Sequence, residues 1–85
     1  MRYTKTTLQK YETLLEELGY TIRYEKGNFQ SGYCIVENRK IAVLNKFFDT
    51  EARINTLLEI LNRIEVNPDL LSEASRKLYH NRSQE

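Results

Sequence analysis

One cysteine, one histidine and one proline leave this 85-residue sequence short of the side chains that most often carry recognisable chemistry. With Cys34 alone no intramolecular disulfide can form, and small secreted domains usually depend on such staples. His80 has no carboxylate or thiol beside it in sequence, so neither a metal site nor a catalytic base is expected there. Apolar runs are short: nothing approaches the roughly 18 residues that a membrane-spanning helix requires. Met1-Arg2-Tyr3-Thr4-Lys5 opens a polar amphipathic stretch, unlike the apolar region of a signal peptide. The cytoplasm is therefore the expected location. Gly27 and Gly32 lack the following Lys-Ser/Thr and helix start of a phosphate-binding loop. No cofactor, metal or small-molecule ligand is expected.

Charge of one sign is also missing. Thirteen Lys and Arg face twelve Asp and Glu, a net charge of +1. A dedicated nucleic-acid binder normally shows a marked basic excess on one face. The balance is uneven along the chain: residues 1–48 carry more basic than acidic side chains, and residues 49–85 the reverse.

What is present is periodicity. Thr6-Thr7-Leu8-Gln9 fits a capping box, and Leu8, Tyr11, Leu14, Leu15 and Leu18 recur at helical spacing before Gly19. Tyr20, Ile22 and Tyr24 then alternate with polar residues, as in a half-buried strand. Tyr33-Cys34-Ile35-Val36 and Ile41-Ala42-Val43-Leu44 flank Glu37-Asn38-Arg39-Lys40, which suits an antiparallel hairpin with Asn38 tolerating positive φ. Pairing about Asn38-Arg39 sets Val36 opposite Ile41 and Cys34 opposite Val43. Ile54, Leu57, Leu58, Leu61 and Ile64 make a second helical stripe after the cap Asp49 or Thr50. Asn67-Pro68 starts a third helix with Leu70, Leu71, Ala74 and Leu78 on its apolar side.

The expected fold class is α+β in the order α-β-β-β-α-α, one domain over 1–85 with a three-stranded antiparallel sheet packed with helices. The expected elements are a helix over 7–18, strands over 20–25, 33–37 and 40–45, helices over 50–66 and 68–79, and a polar tail over 80–85.

The hairpin, Arg53 and the segment Leu57-Leu58-Glu59-Ile60-Leu61-Asn62 resemble the core of ImmA/IrrE-type zinc peptidases, in which such a hairpin leads to a helix bearing H-E-x-x-H. Glu59 falls at the Glu position, but Leu58 and Asn62 stand where the two His ligands belong. Two imidazoles one turn apart hold the zinc and lower the pKa of its water. The resemblance therefore implies at most a catalytically inactive relic, and a solvated Glu59 on a helix surface is the plainer reading. Glu-Leu-Gly-Tyr-Thr-Ile-Arg-Tyr-Glu-Lys-Gly and Asn-Lys-Phe-Phe-Asp also resemble short bacterial proteins of the Bacteroidetes type, which carry no assigned activity. That resemblance implies a free-standing bacterial cytoplasmic protein.

Both faces of the hairpin are apolar, whereas an antiparallel sheet with one wet face should alternate. Either helices cover both faces or a second protein covers one. The leading expectation is a non-enzymatic interaction domain, self-associating as a homodimer or docking a protein partner. Its candidate surface is Tyr33, Ile35 and Leu44 with Phe47 and Phe48 nearby. The alternative is weak single-stranded nucleic-acid binding, which requires Arg23, Arg39 and Lys40 to share an exposed face with an aromatic ring.

Overall fold

A computed structural model describes residues 2–29, 31–36 and 38–82, with residues 34–36 described by their backbone alone. Helix α1 spans Lys5–Glu17 and starts two residues before the expected boundary. Thr4 takes the capping role, its hydroxyl accepting the Thr7 N–H at 3.1 Å. Leu8, Tyr11, Leu14 and Leu15 are buried, as the stripe requires. Gly19 follows with φ +94°, a left-handed conformation that lets the chain turn sharply into the sheet.

The sheet has strands β1 (Tyr20–Glu25), β2 (Gly32–Val36) and β3 (Arg39–Asn45) in the spatial order β1-β3-β2. β2 and β3 form the expected antiparallel hairpin. The innermost pair is Val36 opposite Arg39, and Asn38 just before Arg39 has φ 65°. The pairing is moved by two residues from the expected one, to Cys34 opposite Ile41 and Tyr33 opposite Ala42. A two-residue shift preserves which side chains share a face.

The fold class and the order of elements match expectation, but the sheet is mixed rather than wholly antiparallel. β1 pairs in parallel with β3, Thr21 beside Ile41 and Arg23 beside Val43. The cause lies in the connection after β1. Six residues reach up to about 20 Å, enough to step over two strand spacings of about 4.8 Å each. β3 then returns through the gap and satisfies the backbones of both neighbours.

Helix α2, Thr50–Arg63, is capped by Asp49, whose Oδ1 accepts the Ala52 N–H at 2.8 Å. It ends three residues earlier than expected, with Ile64 already extended. The expected helix over 68–79 is two pieces. A single 3-10 turn at Pro68–Leu70 is followed by α3, Glu73–Asn81. Ser72 breaks the run by capping α3, accepting the Ser75 N–H at 3.2 Å. The Glu17 carboxylate completes that cap by accepting the Ser72 N–H at 3.1 Å.

Helices α1 and α2 lie on one face of the sheet, burying Tyr20, Ala42 and Leu44 against Leu14, Leu15, Ile54, Leu57 and Leu61. α3 packs on α1. The smallest principal extent is 18 Å, which is two layers deep.

Candidate interaction surface

Residues paired across strands share a face, and faces alternate along each strand. Tyr20, Ile22 and Tyr24 therefore lie with Ala42, Leu44 and Tyr33 on the helix-covered side. Thr21 and Arg23 lie with Ile41 and Val43 on the other, together with positions 34 and 36 of β2. Among the described residues no helix packs over that second side. Thr21 and Arg23 are exposed, and Ile41 and Val43 are half-buried by their own sheet neighbours. Gly32 sits opposite Val43 and offers it no cross-strand side chain.

The expected surface is thus divided. Leu44 does not face outwards; it is fully buried at 0% exposure in the core beneath the helices. Tyr33 is 37% exposed at the margin of the covered side, edge-on to Tyr20 with ring centroids 6.4 Å apart. Ile35 pairs with Lys40, and its side chain lies outside the described residues. Phe48 is half-buried, whereas Phe47 is 72% exposed. On the uncovered side the apolar residues whose side chains are described are Ile41 and Val43, both half-buried.

Phe47 is displayed on a turn whose backbone is well held. Its N–H donates to Asn45 Oδ1 at 3.0 Å. Arg53 of α2 reaches back, with Nε donating to the Phe48 carbonyl at 2.9 Å and Nη2 to the Lys46 carbonyl at 2.8 Å. The same guanidinium stacks 4.7 Å from the Tyr24 ring centroid. Tyr24 Oη donates to the Glu12 carboxylate of α1, so three elements meet at one phenol. Burial, reinforced by that hydrogen bond, holds the Tyr24 pKa well above the ordinary phenol value. Burial also raises Tyr20, with the nearby Tyr33 adding to the effect.

Asn45 is the other hub. It is 7% exposed, and its Nδ2 donates to the carbonyls of Gly27 and Phe29, each at 3.1 Å. Its own N–H donates to Ser31 Oγ. The connection that crosses the end of β3 is thereby tied to β3 itself. Sequence reasoning found neither this role nor that of Arg53. The available signal was a polar Asn ending an apolar strand, where a side-chain amide is favoured only if its donors and acceptor are filled.

The remaining candidates fall apart spatially. Arg23 pairs with Glu25 at 2.8 Å on the uncovered side. Lys40 lies on the opposite side, 5.6 Å from the Tyr20 ring centroid. Arg39 shares the side of Arg23, so the three basic residues of the nucleic-acid reading do not lie together on one face: only Lys40 lies with the Tyr20 and Tyr33 rings. Glu59 is exposed on α2 and pairs with Arg63 at 2.8 Å, on open solvent rather than in a cleft. Leu58 is half-buried and Asn62 is exposed. His80 is exposed beside the Tyr79 ring. Cys34 is opposite Ile41, its side chain outside the described residues. Among the described residues no group of three or more His, Cys, Asp or Glu is placed to hold a metal ion. No helix of the described residues is long and apolar enough to cross a membrane. No family model matches the chain, and no curated protein or solved structure matches it either.

Proposed function

We propose that this chain is a non-enzymatic interaction domain of the bacterial cytoplasm that pairs with a second copy of itself through the uncovered side of its sheet. The observation that carries the reading is Ile41 and Val43 on a sheet face with no helix over it. A second copy suits this face because its β1 margin carries both signs, Arg23 and Glu25. Across a two-fold axis each charge meets its opposite, whereas a margin of one sign would repel its copy. The single cysteine, which rules out internal disulfides, supports the cytoplasmic address.

Size sets the strength. Three strands at about 4.8 Å and five residues at about 3.3 Å give a footprint of about 240 Å². That is well below the roughly 800 Å² per partner of a standard interface, so the dimer is weak. Sedimentation equilibrium from about 5 to about 500 μM should show a dissociation constant above about 10 μM. Val43→Lys should return the chain to a monomer with its fold intact. A wild-type chain that stays strictly monomeric throughout the range overturns the proposal.

A further inference from the structure

Glu17, at the C-terminal end of α1, caps the start of α3, so the two helices run in opposite directions. Between them lies an elongated groove of about 560 Å³. Its α1 wall comes from one stripe, including Gln9 and Lys10, and its α3 wall from another, Ala74, Lys77, Leu78 and Asn81. The spacings i, i+3, i+4 and i+7 keep each wall on a single helix face. Ala74 and Leu78 give the groove an apolar strip. Lys10 and Lys77 line it, and no carboxylate does.

The lysines have little to do within the fold. Lys10 makes no ion pair among the described residues, and Lys77 has only a loose one, 3.7 Å from a largely exposed Glu73. The charges of α1 also run against its macrodipole. Its first turn holds no acidic residue and its last turn no basic one. Lys5 stands in the first turn, where a carboxylate would be favoured, and Lys10 lies near the middle of the helix. Of the three carboxylates in the C-terminal half, Glu12 meets Tyr24 and Glu17 meets Ser72, while Glu16 is exposed. No such partner accounts for Lys10.

The geometry points to the α1–α3 groove as a docking site for an acidic amphipathic helical segment of a partner protein. An aliphatic side chain of the partner seats on Ala74 and Leu78, and its carboxylates reach Lys10 and Lys77. Two antiparallel helices present the seam into which a third helix packs, ridge into groove. The charge of the lining selects an acidic partner over a basic one. This surface lies on helices rather than on the sheet and does not depend on dimerisation.

The test is an amide-resolved NMR titration of the full chain carrying Val43→Lys, which keeps self-association out of the measurement. The probes are a synthetic helical peptide with Glu and Leu at alternating pairs of positions, its Lys-Leu counterpart, and inorganic phosphate. The acidic peptide should shift Gln9, Lys10, Leu78 and Asn81, and weaken as salt rises. Lys10→Glu with Lys77→Glu should lose about tenfold or more in affinity while keeping the wild-type amide pattern elsewhere. No shift with the acidic peptide, equal binding of the basic one, or shifts confined to the sheet would overturn the proposal. So would phosphate alone reproducing the shifts at the same affinity, because the site would then be one for small anions.

Discussion

Asn45→Ala removes three side-chain hydrogen bonds at once: two donated to the Gly27 and Phe29 carbonyls and one accepted from Phe47. A hydrogen bond contributes about 1 kcal/mol net, and a buried partner left unpaired costs about 1–3 kcal/mol. The loop carbonyls are near enough to the surface to recover water, so the expected loss is about 3 kcal/mol. A chain of this length has a total stability of about 4–13 kcal/mol, so the loss is a large share. With a urea slope near 1 kcal/mol/M for a small domain, the midpoint should fall by about 3 M. Circular dichroism in a urea series reads this directly. Asn45→Asp sharpens the test. Its carboxylate would face two carbonyl oxygens under partial burial, which raises its folded-state pKa above the unfolded value of about 3.9. The variant is therefore least stable relative to wild type above that raised pKa, and the gap narrows as pH falls through it. A midpoint for Asn45→Ala within about 0.5 M of wild type would refute the reasoning, since the connection over β3 would then not depend on this amide.

Two further outcomes follow from the titrating groups. Tyr24→Phe keeps the ring under Arg53 but loses the hydrogen bond to Glu12, so it should cost about 1 kcal/mol in denaturant unfolding. The raised Tyr24 pKa makes wild-type stability complete below about pH 10 and lost as pH rises beyond it. Thermal melts from neutral to alkaline pH should show that loss reduced in the Phe variant. Glu17 has its pKa lowered chiefly by the Ser75 hydroxyl; burial opposes this, and the Ser72 amide and hydroxyl add to the lowering. Its contribution is present above the ordinary carboxylate range and lost as pH falls through the lowered folded value. Glu17→Gln should flatten the acid limb of stability slightly, because the group is partly open to solvent.

Much of the fold is legible in short-range pattern. The Leu8, Tyr11, Leu14, Leu15 and Leu18 stripe, the alternation from Tyr20 to Tyr24 and the left-handed Asn38 are all local signals, and the structure keeps them. Helix ends drift where two residues compete for one cap. Thr4 prevails over Thr6, and Ser72 divides the third helical stretch because Glu17, distant in sequence, helps to cap it. Strand order was out of reach for a different reason. A period of two tells which side chains share a face of one strand, but not which strand lies beside it. With both sides of the hairpin apolar, nothing local assigns Leu44 inwards and Val43 outwards. That choice is made by the pairing of β3 with β1, whose Tyr20, Ile22 and Tyr24 side must face the helices.

The place of β3 also sets an order of assembly. It is the middle strand in space and the last in sequence, so β1 has no strand partner until residues 39–45 exist. About 20 residues separate the ends of β1 and β3, or about one to four seconds of synthesis at 5–20 residues per second. During that interval α1 can form and hold Tyr20, but the backbone of β1 faces only water. The hairpin closes locally and fast, and its arrival beside β1 is the long-range step. A chain released before Asn45 would hold β1 and β2 without the strand that joins them. The commitment to this topology is thus made late, by one strand entering a gap left open for it.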